Sequence, residues 1–324
     1  MKTMDELDSG KFGTLQTNSF NGNALRQNTK LPEDAWDLID DTIMQVATRR
    51  TQAIDRLQNA NLINREVDDY ALTYNWDVMS DTGDAEQSMS GHTRTDEDME
   101  DFDQDGVPLI VTSKDFRIAD RKLNAIQAGR VSVDTHIVSQ KARKVIETLE
   151  DTIFNGAGIT YQGKSAEGLI GFADAVESSG DITGAWDTNS GDIYEDVKII
   201  RDSIKDMHYY GPFTLFVSSD VYSAMDIPDP EGSGDLELLE RVAGISAIEE
   251  VVEADVLSSG QGVMVQLTPD VIELAQQMDV QTIEWQSGDE LVNLYKVMAI
   301  MSPAVKSDYN NNTGIAYLDG DLIE

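Results

Sequence analysis

Tyr70, Leu72, Tyr74, Trp76 and Val78 alternate with polar residues at the two-residue period of a half-buried strand, which leaves this part of the chain few ways to fold. Val107, Leu109 and Val111 repeat the alternation. The segment between them, SDTGDAEQSMSGHTRTDEDMEDFDQDG, is too polar and acidic to enter a core. The simplest reading is two strands of a long hairpin with a solvated connection.

The segments around this hairpin are of other kinds. Residues 1–30 are rich in Asn, Thr, Ser, Gly and Gln and read as an extended arm. At Leu31-Pro32 the pattern changes, because proline suits a helix start and Glu33 and Asp34 suit the positive end of the helix dipole. Trp36, Ile39, Ile43, Val46, Ile54 and Leu57 then follow at helical spacing, on one long helix or two shorter ones. A rod is predicted over 132–154, with Val138, Ala142, Val145, Leu149 and Ile153 on one face and Ile146 alongside. Ser132 or Asp134 would cap its start, and Asn155-Gly156 would end it in a left-handed turn. Ile193, Val197, Ile200, Ile204 and Met207 mark another amphipathic helix, FTLFVS (213–218) a buried strand and LELLERVAG a short helix. VMVQL, IEWQ and LVNLYKVMAIMS read as closing strands. Helices and strands interleave without regular repetition, so the fold class is α+β rather than a doubly wound sheet.

Charge sets the setting in which such a chain is soluble. With 60 Asp and Glu against 24 Lys and Arg the formal net charge is −36. Like charges at that density repel one another in dilute buffer, where the screening length is about 10 Å at 0.1 M salt, and far less near 1 M, where it is about 3 Å. A disordered acidic chain would lack apolar residues, whereas 40% here are hydrophobic, so a folded, salt-adapted protein is expected. Without cysteine, disulfides and thiolate chemistry are excluded. The start of the chain has no apolar signal core and no run is long and apolar enough to span a bilayer, so cytoplasmic synthesis and no membrane partner are expected.

The charges are also unevenly placed. Residues 65–106 carry 14 acidic side chains and only Arg65 and Arg94 as bases. Residues 114–144 reverse this: Lys114, Arg117, Arg121, Lys122, Arg130, Lys141, Arg143 and Lys144 stand against Asp115, Asp120 and Asp134. Two readings stay open, salt bridges to neighbouring acidic surfaces or a face turned toward polyanion.

Signatures of catalysis are sparse. His92, His136 and His208 have no metal-ligand spacing, and the glycine pairs at 156/158, 232/234 and 260/262 match no phosphate or dinucleotide loop; they read as a helix cap and two loops. No catalytic residue and no cofactor is expected. Asp101, Asp103, Asp105 and Gly106 open like an EF-hand calcium loop, but the twelfth position is Thr112 instead of Glu. They are read either as a weak cation contact or as a solvated, salt-tolerant loop.

Several stretches, in this order, resemble the landmarks of encapsulins: LPEDAWDLIDDTI with its helix, VPLIVTSKDFRIADRKLNA, the rod ending LEDTIFNGAG with EGLIGF after it, and YYGPFTLFVSSDVYSAMD. The segment from LELLERVAG through IEWQ to LVNLYKVMAIMSPAV continues the series, so the resemblance covers about residues 31–318. It implies the Hong Kong 97 fold shared with capsid proteins of tailed viruses. Residues 1–30 would be the N-terminal arm, 31–65 the helical start of the peripheral domain and 66–112 the extended loop. Residues 113–164 would be the peripheral domain with its spine helix, 165–275 the axial domain, and 276–324 strands returning to the peripheral domain. Tyr70, Leu72, Tyr74 and Trp76 would then be buried by a neighbouring subunit.

The long arm and acidic insertion depart from encapsulins and suit a viral capsid subunit. No lysine lies between Lys30 and Lys114, so a crosslink donated by a lysine of the extended loop has no donor here. The resemblance and the acidity together imply a major capsid protein of a tailed haloarchaeal virus. Pentamers and hexamers would close into an icosahedral head around double-stranded DNA, assembled in the host cytoplasm with separate scaffolding, portal or decoration proteins. The rival expectation is an encapsulin-type nanocompartment holding enzyme cargo.

Overall fold

The computed structural model describes residues 31–47, 51–68, 70–80, 89, 101–172, 174–177, 186, 190–226, 238–286 and 292–318. The expected arm and all but Met89 of the acidic connection from 81 to 100 lie outside the described residues, as do Gly232 and Gly234. The first half contains helices α1 (Glu33–Ala47) and α2 (Ala53–Asn59), strands β1 (Ile63–Asn64), β2 (Thr73–Met79), β3 (Phe102–Pro108) and β4 (Val111–Ala119), and helices α3 (Asp120–Gln127) and α4 (Thr135–Asn155). Next come β5 (Thr160–Tyr161), β6 (Lys164–Ser165), β7 (Val176–Glu177), α5 (Ser190–Asp206), β8 (Phe213–Val217), α6 (Ser219–Met225) and α7 (Leu238–Ala243). The rest is strands: β9 (Ile248–Glu253), β10 (Gly262–Gln266), β11 (Ile272–Gln286), β12 (Val292–Val305) and β13 (Ile315–Leu318).

A first sheet, in the order β1-β11-β12-β4, is built on the long antiparallel pair β11–β12. Across it lies α4, whose Val138, Ala142, Val145, Ile146, Leu149 and Ile153 are all buried, as the 3.6-residue period predicts. Its 21 residues make a rod of about 30 Å. Asp134 stands at its start without a side-chain cap, and Gly156 ends it at φ +74°. The expected apolar stripe from Trp36 to Leu57 is shared by α1 and α2, two helices rather than one. Trp36 meets Tyr295 edge-on at 6.0 Å, and Phe116 stacks on Tyr295 at 5.2 Å, tying α1, β4 and β12 together. Each such aromatic, fully buried, contributes on the order of 2 to 3 kcal/mol.

The chain after α4 turns back and satisfies its open end. Leu169 and Ile170 donate their N–H groups to the carbonyls of Ile153 and Phe154 at 2.9 and 2.8 Å. The approach needs glycine: a Cβ on Gly168 would collide with the Gly156 nitrogen and the Phe154 carbonyl oxygen. EGLIGF is therefore the cap of the rod.

A second sheet, in the order β7-β13-β10-β8-β9, has β10 antiparallel to β8 and β13, and β9 parallel to β8. Every residue of β8 is buried, because helices cover one face and the first core the other. On α5, Ile193, Val197, Ile200 and Ile204 are buried as expected. The Trp186 indole N–H donates to the buried Asp196 carboxylate at 3.0 Å. Phe154 and Phe216 meet edge-on at 5.3 Å within the first core, tying the end of α4 to β8.

The structure departs from the sequence reading in four places. The second alternating run is two strands, since β3 ends at Pro108, which has no amide to continue a ladder, and β4 begins at Val111 in another sheet. β3 also reaches back to Phe102, into the segment read as connection. Gly262 lies in β10 and not in a loop, and a Cβ there would sit 2.8 Å from the Trp186 ring. The last strand, β13, joins the second sheet, whereas residues 276–324 were all expected beside the first.

Candidate assembly surface

The hairpin β2–β3 pairs Tyr74 with Val107, Trp76 with Asp105, Val78 with Asp103 and Met79 with Phe102. Directly opposed residues share a face, so Tyr74, Trp76 and Val107 lie together and pack on Ala166, Ile110 and Ala304. Tyr74 and Trp76, expected to wait for a neighbour, are half-buried against their own subunit. The reason is that the base of the hairpin lies on β12, beside Ala304, and on the β5–β6 turn.

Polar contacts fix that base. Tyr74 donates its hydroxyl to Glu273 Oε2 at 2.9 Å and accepts from Asn64 Nδ2 at 3.0 Å. Lys306 Nζ donates to the same Glu273 oxygen at 2.7 Å and to the Pro269 carbonyl at 2.8 Å, and lies 5.6 Å from the centre of the Trp76 ring. Burial and the neighbouring Glu273 push the Tyr74 hydroxyl above its ordinary pKa. Gln277 Nε2 donates to the Asp68 carbonyl at 2.6 Å, and Lys164 Nζ to Asn75 Oδ1 at 2.6 Å. Lys164 reaches Asn75 over Gly106, where a Cβ would stand 2.7 Å from the ammonium nitrogen. Trp76, Asp105, Lys164, Glu167 and Phe172 line a cleft of about 180 Å³, and the Trp76 indole N–H is buried without an acceptor among the described residues.

Other apolar side chains of this region stay outside. Tyr70 is 91% exposed and Leu72 65%, while Met79 and Phe102, a cross-strand pair, are 49% and 63% exposed. Tyr70 and Leu72 precede β2 at the base of the hairpin, whereas Met79 and Phe102 pair at its far end, so these open apolar side chains stand at both ends of it.

Asp101, Asp103 and Asp105 do not form a calcium loop. Asp103 and Asp105 lie in β3, where an extended backbone spaces alternate carboxylates along a strand instead of folding them around one point. Asp105 Oδ1 accepts the Gly106 amide and Asp103 Oδ1 the Gln104 amide. Among the described residues no group of acids and histidines is arranged to hold a metal ion.

The eight basic residues of 114–144 are spread over three elements. Lys114 and Arg117 are three apart on β4 and so point to opposite faces. Arg121 and Arg130 are exposed on α3 and just beyond it, and Lys122 bridges to Asp134 at 3.6 Å. On α4, Arg143 and Lys144 both bind Glu147, Lys144 at 2.7 Å, which holds the Glu147 carboxyl below its ordinary range. Lys141, one turn earlier, is half-buried. Arg143 and Lys144 are thus the members the structure brings together. Sequence reasoning missed Glu273, Lys306 and Lys164, whose roles come from strand register and turn placement.

The profile of a family of unknown function, DUF6260, matches residues 23–318. No curated protein matches the sequence. Among solved structures the chain is similar to the virus-like particle from Pyrococcus furiosus, with a TM-score of 0.61, 13% identity, and coverage of 88% of this chain and 99% of that one. It is similar to the capsid of Myoviridae phage XM1 with a TM-score of 0.61 and 12% identity over 83% of this chain and 93% of that one. The capsid of the empty GTA particle gives a TM-score of 0.55 and 13% identity over 83% and 90%. The fold is Hong Kong 97-like and mixed α+β, as the sequence led us to expect.

Proposed function

This chain belongs to the DUF6260 family, and we propose that it is the shell subunit of a viral head, a structural protein with no catalytic role. The observation that carries this reading is the likeness of nearly the whole chain to the subunits of capsids and a virus-like particle. Tyr70, Leu72, Met79 and Phe102, exposed along one hairpin, suit burial by a second copy. In the proposed assembly, pentamers and hexamers of this chain close an icosahedral shell around double-stranded DNA, with the exposed Arg143 and Lys144 of α4 toward the phosphates. The net charge of −36 favours a halophilic host, and the fold then favours a tailed archaeal virus.

A shell around enzyme cargo is the second reading, supported by the ordered encapsulin-like landmarks of the sequence from about residue 31 to 318. Sedimentation of the purified chain in molar salt tests the shell itself: particles of megadalton mass are expected, and a chain that stays monomeric under all salt conditions refutes both readings. Nuclease treatment of particles from the native source separates them. Protected double-stranded DNA supports the head, and protein contents without DNA overturn it.

A further inference from the structure

We infer that Glu273 is a latch that sets the angle of the hairpin within the isolated subunit, before a neighbour is met. The inference rests on the shell reading for its purpose but not for its geometry. One carboxylate oxygen of Glu273 receives both the Tyr74 hydroxyl, from the hairpin, and the Lys306 ammonium, from the end of β12. The same ammonium lies over the Trp76 ring, two residues along the hairpin from Tyr74. Three elements distant in sequence therefore meet at one charge.

Such a contact has a particular value in brine. Exposed ion pairs are screened when the screening length falls to about 3 Å. The Lys306 and Glu273 side chains are only 13% and 19% exposed, and their separation of 2.7 Å admits no intervening ion. A free two-stranded hairpin is marginal in water, so docking is what keeps β2–β3 paired and aimed. With its base held in cis, the hairpin offers Tyr70, Leu72, Met79 and Phe102 to a neighbour without an ordering penalty at assembly.

Hydrogen exchange of the free subunit tests this. Glu273→Ala removes the hub, and Tyr74→Phe removes only the hydroxyl while leaving the ring to pack. Amides of β2 and β3 are expected to exchange roughly tenfold faster in Glu273→Ala and several-fold faster in Tyr74→Phe, at both 0.5 M and 3 M salt, while β8 and β10 keep the parental rate. Hairpin amides unchanged in both variants would overturn the latch, as would equal acceleration in β8 and β10, which would mark general destabilisation. Assembly rates of the same variants read the purpose: slower shell formation supports presetting, and parental rates from a loosened hairpin overturn it. A parent chain that never forms shells refutes the shell reading while the exchange data still decide the latch.

Discussion

Glu150, in the rod-like helix α4, accepts the backbone N–H of Ala53 at 3.1 Å from inside the core. Its other oxygen accepts Gln52 and Ile54 at 2.9 and 3.2 Å, so one carboxylate caps the start of α2. Burial pushes the Glu150 pKa up to about 7, opposed by the three N–H donors and reinforced by nearby Asp55. Because the folded pKa lies above the ordinary 4.5, the contribution of this group to stability is fullest below about pH 4.5 and is lost as pH rises through 7. In Glu150→Gln that fall disappears. The stability difference between parent and variant, followed by denaturant titration at fixed high salt, is expected to drop by on the order of 3 kcal/mol between pH 4.5 and 7 and to be flat above 8. A difference independent of pH would show that the carboxyl does not titrate in this range.

Gly168→Ala is expected to destabilise the subunit by about 2 kcal/mol or more. The new Cβ meets backbone atoms of Gly156 and Phe154 that cannot move without breaking the hydrogen bonds closing α4. Thermal melting measures it, with Gly158→Ala for contrast, where φ is +62° and nothing lies within 4 Å of a Cβ, so that backbone strain acts there without a clash.

Charge reversal at Lys141, Arg143 and Lys144 is expected to lower the DNA content of particles while shells still form. Arg143 and Lys144 are exposed side by side on α4, and both pair with Glu147. Nuclease-protected DNA per particle is the measurement, and an unchanged content would remove α4 from the DNA-facing side.

Dilution into low salt is expected to loosen assembled particles, since copies carrying −36 each repel one another once screening is withdrawn. Light scattering during a step from about 3 M to 0.1 M salt should fall. Particles stable for days in dilute buffer would contradict this.

Much of the architecture was legible because it is written in local periods. The stripe from Val138 to Ile153 gave the rod and FTLFV gave a strand buried on both sides. Glu150 left a signal that could have been read: it falls between Ile146 and Phe154 at four-residue spacing, on the buried side, where a carboxylate needs partners. The latch left none. Glu273 and Lys306 meet because the β11–β12 ladder sets Glu273 opposite Ala304, and Tyr74 joins them from 199 residues away. The acidic run at 101–106 misled because composition marks a loop, while pairing with β2 makes a strand of it. Which members of the basic run share a face was not legible, because adjacency in sequence is not adjacency on a strand, where Lys114 and Arg117 part to opposite faces.

Electron microscopy of the purified chain, assembled in molar salt and reconstructed with imposed and then relaxed symmetry, tests the central claim. Closed shells with five-fold vertices, in which Tyr70, Leu72, Met79 and Phe102 of one copy are covered by the next, are the predicted result. Monomers or small open oligomers at every salt concentration, with those four side chains still facing solvent, would contradict it.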